Sequence, residues 1–549
     1  MASQTQPMLI TNGRFFSTAN GKDPVFHDTI FIQNGTIQHI GARSDLEIAA
    51  VEKELGENLE TKDLGGRIVL PGFIDGHMHF LLLGQSLQKL DLDGSKDISE
   101  IRERISKFAK ENPDAQRILC RGWMHSMTDG KALASMLDDL DPRPIFIDSK
   151  DLHSTWCNTA GLHEMGVQDM PNPVGGTIER DENGKVSGLL SEAAVLTISW
   201  PHLARVASMP EKIAALRAAV QAYNAAGYTG MIDMALDENG WEAVQAFKAA
   251  DGVLSVRLAA HWLITPSGTE AERLAQVQRA IDLNKDFNDR TSPDLRVVGI
   301  KVICDGVIDA CTAALLEPYS NNTSASLDPL WSKEMLDPVV KKADQAGLQV
   351  ALHAIGDGAV NLAINALEQN CSPGRRHRIE HLELTSPEDA LRLGKLGITA
   401  SIQPVHSDPA ILRAWPSLLG PKRLKRAFAY KEFLDGGAVL AIGSDSPTAP
   451  YAPIPNLYVA TTRKSARDLV TGDAPVNVNF RLGLCEAISG AIKGSAYSCF
   501  AEGRVGTLEK GKMADFVVVD MEFKEEKLLE ARVRETWFGG KKVFESEAL

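Results

Sequence analysis

Two histidines, His77 and His79, stand two residues apart just behind an apolar run at 68–74. On extended chain, side chains at i and i+2 share a face. Two imidazoles side by side at a strand's end make half of a metal site, although the same pair could be surface histidines in a loop. Other short apolar runs carry or end on groups of similar type. Lys301 lies inside 297–303, His353 ends 348–353, His381 sits in 378–382, and Asp445 follows 438–443. Imidazole nitrogen and carboxylate oxygen both suit zinc. Any one of these, His353 for instance, has an ordinary reading as a satisfied core histidine. Their recurrence at separate strand ends favours a metal site. A lysine among apolar neighbours loses hydration unless it is neutral, paired or modified. For Lys301 two readings stand: an ion pair with Asp305, or carbamylation by carbon dioxide to give a carboxylate able to bridge two metals.

These residues need a scaffold that brings strand ends together. Along the middle and C-terminal parts of the chain, a helical stretch repeatedly ends in Gly and an apolar strand follows: Gly227 before 229–235, Gly252 before 254–263, Gly347 before 348–353, Gly397 before 398–403, and Gly436-Gly437 before 438–443. Gly at a helix C-terminus supplies the left-handed backbone that stops the helix. Between the strands, 211–226 and 333–346 show apolar residues at helical spacing. With 68–74, 296–303 and 378–382, the count reaches eight β/α units, which predicts an α/β fold, a (β/α)8 TIM barrel at 68–84 plus 206–499. Active sites in such barrels lie at the C-terminal strand ends, where the candidate ligands fall.

The stretch between the first two strands is far too long for one helix, so an inserted subdomain is expected at 85–205, acting as a lid. It holds a Pro/Gly-rich segment (Pro171, Pro173, Gly175, Gly176) and a hairpin signal at Asp181-Glu182-Asn183-Gly184. The chain's ends read as short alternating strands, with turns at Asn12-Gly13, Asn34-Gly35 and Gly539-Gly540 and a strand at 516–519. Residues 1–67 and 500–549 are expected to combine into one β-sandwich domain.

Composition narrows the class. At 549 residues the chain needs several cores. A formal charge of −14 argues against nucleic-acid binding. Seven cysteines without a Cys-x-x-Cys pair suit a reducing compartment. Met1 to Pro7 shows no signal-peptide pattern, and no apolar run approaches the roughly 20 residues of a membrane span. The expectation is a cytoplasmic protein with no membrane or nucleic-acid partner. A homodimer is the base-rate expectation.

The chain resembles the amidohydrolase superfamily and, more narrowly, its family-3 branch with the N-substituted formamide deformylases. The matching segments are Leu70-Pro71-Gly72-Phe73-Ile74-Asp75-Gly76-His77-Met78-His79, Ile300-Lys301-Val302-Ile303-Cys304-Asp305-Gly306 and His353-Ala354-Ile355-Gly356-Asp357. Further matches are His377-Arg378-Ile379-Glu380-His381, Ser401-Ile402-Gln403-Pro404-Val405-His406, Gly443-Ser444-Asp445-Ser446-Pro447 and Gly511-Lys512-Met513-Ala514-Asp515. They run in family order over nearly the whole chain. The resemblance implies a divalent-metal centre, one or two Zn2+ per chain, held by His77, His79, Lys301, His353, His381 and Asp445, with Lys301 N-carboxylated. Three segments depart from the family pattern: Gly122-Trp123-Met124, Ser149-Lys150-Asp151-Leu152-His153, and Ser446-Pro447 after Asp445. Substrate inference is therefore weaker than metal inference.

The expected reaction is hydrolysis of a non-peptide C–N bond, of amide or formamide type, in a small molecule. A metal-activated hydroxide attacks, and Asp445 is the general base and then acid. The catalytic set is Asp445, His381 and His406, the last as a donor to substrate or oxyanion. Trp123, His153, Trp156 and Asn158 are expected to line the substrate pocket. Arg121 and Arg180 are candidate anion contacts, more simply read as solvated. Glu380 is expected to point away from the site and Asp305 to be structural. Deamination, ester or lactone hydrolysis and decarboxylation are the alternatives on the same scaffold, and a non-catalytic scaffold is the remote one.

Overall fold

The apolar run at 68–74, expected as the first barrel strand, divides at Gly72 between two sheets. Ile68–Pro71 pairs antiparallel with Phe516–Asp520 and parallel with Arg14–Thr18. Phe73–Met78 pairs instead with Tyr228–Leu236. A Cβ at Gly72 would lie 2.2 Å from Thr229 Oγ1, so only glycine lets the chain pass there. The β domain therefore takes 68–71 from the barrel. The computed structural model describes residues 6–18, 22–150, 152–173, 176–252, 254–266, 268–323, 327–469 and 474–547. Met1 to Thr5, Asp151 and Gly175, named above, lie outside them.

Eight parallel strands follow one another around the barrel in chain order. They are Phe73–Met78 (β1), Tyr228–Leu236 (β2), Arg257–Ile264 (β3), Leu295–Ile303 (β4), Gln349–Ala354 (β5), Arg378–His381 (β6), Thr399–Ile402 (β7) and Leu440–Ile442 (β8). The helices Met209–Ala226 and Lys333–Gln345 match the periodic stretches. Gly347 (φ 82°) makes the left-handed turn between its helix and β5. The floor of the barrel is apolar: Ile74, Ile232, Met234, Ala259, Val298 and Ala351 pack with Ala496, Cys499 and Val505.

β1 and β8 meet through a short seam rather than a full ladder. The amides of Ser444 and Asp445 donate to the His77 carbonyl at 3.2 and 2.7 Å, and the His79 amide donates to the Ser446 carbonyl at 2.9 Å. The approach is close because two glycines face it. A Cβ on Gly443 would lie 2.4 Å from His77 N, and one on Gly76 would lie 2.8 Å from the Ile442 carbonyl oxygen.

Both chain ends build the expected sandwich. One sheet orders Thr36–Gly41, Thr29–Gln33, Met8–Thr11 and Glu60–Asp63. The other orders Lys541–Glu545, Arg532–Phe538, Phe516–Asp520, Ile68–Pro71, Arg14–Thr18 and Pro24–His27. Alternation works as the strand period demands: Met8 and Ile10 enter the core between the sheets with Val69, Phe516 and Trp537, while Leu9 packs on Phe31 and Ile48 outside it. Asn34-Gly35 and Gly539-Gly540 are two-residue hairpin turns with positive φ at both residues. Asn12-Gly13 is not a hairpin. Its flanking strands belong to different sheets, and the turn carries the chain from one to the other.

A second compact unit comprises Phe80–Ala219 and Asn239–Ala249, wider than the 85–205 expected. Its six-stranded sheet orders Gly176–Arg180, Val186–Glu192, Ser154–Cys157, Ile145–Ser149, Ile118–Trp123 and Leu90–Asp91. The hairpin at 181–184 is present, with Arg180 opposite Val186. None of the seven cysteines is in a disulfide. Among the described residues no helix is long and apolar enough to cross a membrane.

The seam predicts contrasting effects of two substitutions. Gly443→Ala should destabilise by about 1–3 kcal/mol and lower bound metal, because the added methyl displaces His77. Gly347→Ala should cost roughly 1–2 kcal/mol through its left-handed backbone alone and leave metal content intact. Thermal unfolding with elemental analysis checks both; wild-type stability and metal content in Gly443→Ala would rule out a steric seam.

Candidate metal centre

At the C-terminal rim of the barrel, His77, His79 and Asp445 bring ligand atoms within 4.8 Å of one another, and so do His381, His406 and Asp445. Asp445 belongs to both groups. Its Oδ1 lies 3.1 Å from His79 Nε2 and 3.4 Å from His77 Nε2, and its Oδ2 lies 3.5 Å from His406 Nε2. His381 packs against His77 and His353, with ring centroids 4.8 and 4.4 Å away. Its buried Nδ1 has no hydrogen-bond partner among the described residues. Buried polar atoms are almost always partnered, so an unsatisfied imidazole nitrogen beside a carboxylate fits a cation.

Backbone conformation aims two of these groups. His381 and Asp445 adopt φ values of 77° and 57°, which non-glycine residues rarely do. In the β5–β6 register His353 pairs with Glu380, and Ala354 with His381. Glu380 thus shares the inward face with His353, and regular alternation would turn His381 outward. The positive φ brings His381 back to the site. The expectation that Glu380 points away is corrected here, because the strand does not stay regular through His381.

Glu380 is fully buried and does two jobs. Its Oε2 accepts from His77 Nδ1 at 2.7 Å. Its two oxygens also accept from Arg378 Nε at 2.7 Å and Nη2 at 3.0 Å. Arg378 in turn donates to the Gly76 carbonyl, Ser401 Oγ and Ser498 Oγ. Burial alone would push the Glu380 carboxyl up, but Arg378 and His77 outweigh it and hold it well below the usual carboxylate range. An ionised Glu380 fixes the proton on His77 Nδ1 and leaves Nε2 to face Asp445, the arrangement that orients metal-binding histidines. Burial lowers His77 to about 4 and His353 to about 3, so these imidazoles are neutral near pH 7 and their lone pairs are available.

Lys301 is 2% exposed on β4, opposite Leu263 and Ala351. Burial pulls its pKa down to about 8, and among the described residues it forms no ion pair. The ion pair with Asp305 is absent because Asp305 is occupied elsewhere: it accepts from the amides of Ala314, Ile355 and Gly356 at 2.9–3.0 Å. Its structural role is as expected. His353 stays outside both three-residue groups; its Nε2 lies 3.4 Å from the Gly306 carbonyl and 3.5 Å from Asp305.

Three groups that the sequence reading passed over complete the site. Glu383 accepts from His406 Nδ1 at 2.9 Å. Burial opposes the charged imidazole of His406, but Glu383 outweighs it and raises the pKa. Asp75 lies in the first motif yet drew no role. It accepts from Ser444 N, Ser444 Oγ, the Tyr223 hydroxyl and His77 N, pinning the residues beside His77 and Asp445. Arg378 sat unread within its motif, because only tertiary contacts give it partners.

The pocket residues expected in the second unit are largely spent within it. Trp123 and Trp156 are wholly buried in its core, 5.3 Å apart, and Trp156 Nε1 donates to the Leu133 carbonyl. Asn158 caps the helix Thr159–Met165 and bonds to Ile145 N and the Arg143 carbonyl. In all three the contacts seen are those of packing and capping. His153 is half-exposed and bonded to Glu192 at 2.8 Å. Arg121 pairs with Asp91, and Arg180 donates to the carbonyls of Gln168, Met170 and Gly184.

Asp344, Cys371 and His377 form another cluster of ligand types. There His377 Nδ1 accepts from Val350 N, so the proton is on Nε2, which donates to Asp344 at 3.1 Å. No imidazole lone pair remains for a cation.

The profile of the Amidohydrolase family matches residues 60–544. Protein LONG AFTER FAR-RED 3 of Arabidopsis thaliana is 29% identical, over 98% of this chain and 91% of its own length. N-substituted formamide deformylase of Arthrobacter pascens is 23% identical over 89% of each chain. Among solved structures, an uncharacterized metal-dependent hydrolase from Pyrococcus horikoshii OT3 superposes with a TM-score of 0.77 at 24% identity, covering 95% of this chain and 99% of its own, which speaks to the fold. With so little of the chain outside the family profile, it belongs to the amidohydrolase family and is a metal-dependent hydrolase.

Proposed function

We propose that the protein hydrolyses a non-peptide C–N bond of amide or formamide type in a small molecule, with zinc at the rim. The observation that carries this reading is the convergence of His77, His79 and His406 on the one carboxylate of Asp445. His77, His79, His381 and Asp445 supply the donors, joined by His353 and by Lys301 if its amine takes up carbon dioxide. A buried lysine whose pKa burial pulls down to about 8, against the pull of Glu380 and Asp445, keeps a useful fraction of neutral amine for that addition. The chemistry a bound divalent cation supplies is water acidified toward neutral pH and a polarised carbonyl oxygen.

The remaining steps belong to the chain's own residues. Asp445 takes the proton of the attacking water and delivers it to the leaving nitrogen, which otherwise departs as a poor amide anion. His406, whose pKa Glu383 raises against the effect of burial, turns Nε2 toward the same space and, when protonated, stabilises negative charge on the carbonyl oxygen. His381 helps to hold the reacting centre in place. The similarity to N-substituted formamide deformylase supports a formamide as the first substrate to try.

Four experiments, on substrate, Lys301, Asp445 and Glu380, test this. Zinc-loaded protein should release formate and amine from N-benzylformamide, and chelation should abolish turnover; turnover that survives removal of metal would refute the reading. Lys301→Ala should lose bound zinc by elemental mass spectrometry, and carbamylated Lys301 should appear in a crystal structure grown with bicarbonate. Asp445→Asn should lower kcat by about 10²–10⁴-fold. Glu380→Gln should weaken zinc binding by roughly 10–100-fold in a chelator competition; unchanged affinity would mean that Glu380 serves folding alone.

A further inference from the structure

The inner face of the barrel can be followed strand by strand up to its rim. Ala351 of β5 lies in the apolar floor with Ile232, Met234 and Ala259. Side chains two residues apart on a strand share a face, so His353 points inward above Ala351. Neighbours in register on parallel strands share a face as well. Lys301 pairs with Ala351 and Ile303 with His353, and on the other side of β4 Leu263 pairs with Lys301. Two residues lower, His261 of β3 and Gln349 of β5 both stand in register with Gly299. His261 Nε2 lies 2.8 Å from Gln349 Oε1, a side-chain contact that spans β4 over that glycine. The same alternation then places Leu263 and Ile303 inward at the ends of β3 and β4.

Every residue of β4 from Leu295 to Val302 is buried, whereas Ile303 is 36% exposed. Leu263 is half-buried. A lone aliphatic side chain on an outer surface needs no explanation. These two adjoin each other on the inside of a barrel mouth, where ligand pockets combine apolar walls with a few polar groups. In a closed barrel of eight strands in chain order, β4 stands across from β8 and β3 from β7. Ile303 is therefore across the mouth from Asp445, and Leu263 from His406. Nitrogen and oxygen donors gather on one side of the reacting centre and two aliphatic side chains on the other.

We propose that Ile303 and Leu263 form an apolar subsite, so that the substrate carries an alkyl or aryl group beside the scissile bond, on the carbonyl carbon or on the leaving nitrogen. The inference rests on the C–N hydrolase reading above. Water lying over two aliphatic side chains is displaced favourably by an apolar group, while a charged or hydroxylated one would lose hydration there without a partner. A β-branched side chain fixed on a strand has little rotamer freedom left to lose on binding.

The test measures acetohydroxamate and hexanohydroxamate binding to zinc-loaded protein by isothermal titration calorimetry, in wild type, Ile303→Ser and Leu391→Ser. Leu391 is an exposed leucine on the helix Pro387–Lys395 and serves as the control. Both ligands share one head group, so the ratio of their affinities reports the chain alone. A buried methylene strengthens binding about 4-fold, so wild type should prefer hexanohydroxamate by about 10-fold or more. Ile303→Ser should reduce that preference to within about 3-fold, and Leu391→Ser should keep it. No chain-length preference in wild type, or one that survives in Ile303→Ser, would overturn the proposal. Should Ile303→Ser not fold, Ile303→Ala carries the same comparison. The kcat/KM ratios of N-butylformamide to N-methylformamide and of N-methylhexanamide to N-methylacetamide locate the group: the ratio that falls in Ile303→Ser marks nitrogen or carbonyl carbon. If the hydroxamate preference responds to Ile303 but none of these compounds is hydrolysed, the C–N reading fails and the apolar subsite stands.

Discussion

Asp75 and Ser444, 369 residues apart in the chain, are joined at the seam between β1 and β8 by hydrogen bonds from both the amide and the hydroxyl of Ser444. The same short stretch places Asp445 N on the His77 carbonyl and His79 N on the Ser446 carbonyl. Every donor pair at the centre that involves Asp445 depends on this join. Two glycines permit it, and a buried carboxylate with four donors holds it. Burial raises the Asp75 carboxyl to about 6 against the pull of those donors, which shows how far its charge has been taken from water. A carboxylate in that position is structural in the strict sense: it shapes the site without facing it.

Inside the barrel, charge is stabilised by pairing rather than by solvent. Arg378 and Glu380 are both wholly buried and share two hydrogen bonds, and Glu380 passes the constraint to His77. A buried ion pair of this kind is weak evidence for stability, since desolvation offsets much of the attraction. Its use is directional. It sets which nitrogen of His77 carries the proton, and Glu383 does the same for His406 on the far side of Asp445. The two carboxylates each orient one of the histidines that face Asp445.

The second unit shows how residues singled out by motif resemblance are also used by their own core. Trp123, Trp156 and Asn158 stand in segments that resemble pocket-lining stretches, yet each is consumed by its own core or cap. Large aromatic side chains bury well, and an asparagine before a helix caps it whatever the protein binds.

Local sequence determined a good deal by itself. Apolar runs bounded by glycine declared the strands, helical periodicity declared the helices between them, and ligand-type residues at strand ends declared a metal site, because each signal is read within one turn or one strand. The hairpins at Asn34-Gly35, 181–184 and Gly539-Gly540 were legible for the same reason. Tertiary structure alone decided the rest. It divided 68–74 between two sheets, made Asn12-Gly13 a crossing instead of a hairpin, and brought His381 back to the face that Glu380 shares with His353 by bending the chain at His381. It also gave Asp75, Arg378 and Glu383 their partners. In each case the deciding neighbour lies on a different element, and alternation or spacing along one segment carries no information about what packs against it.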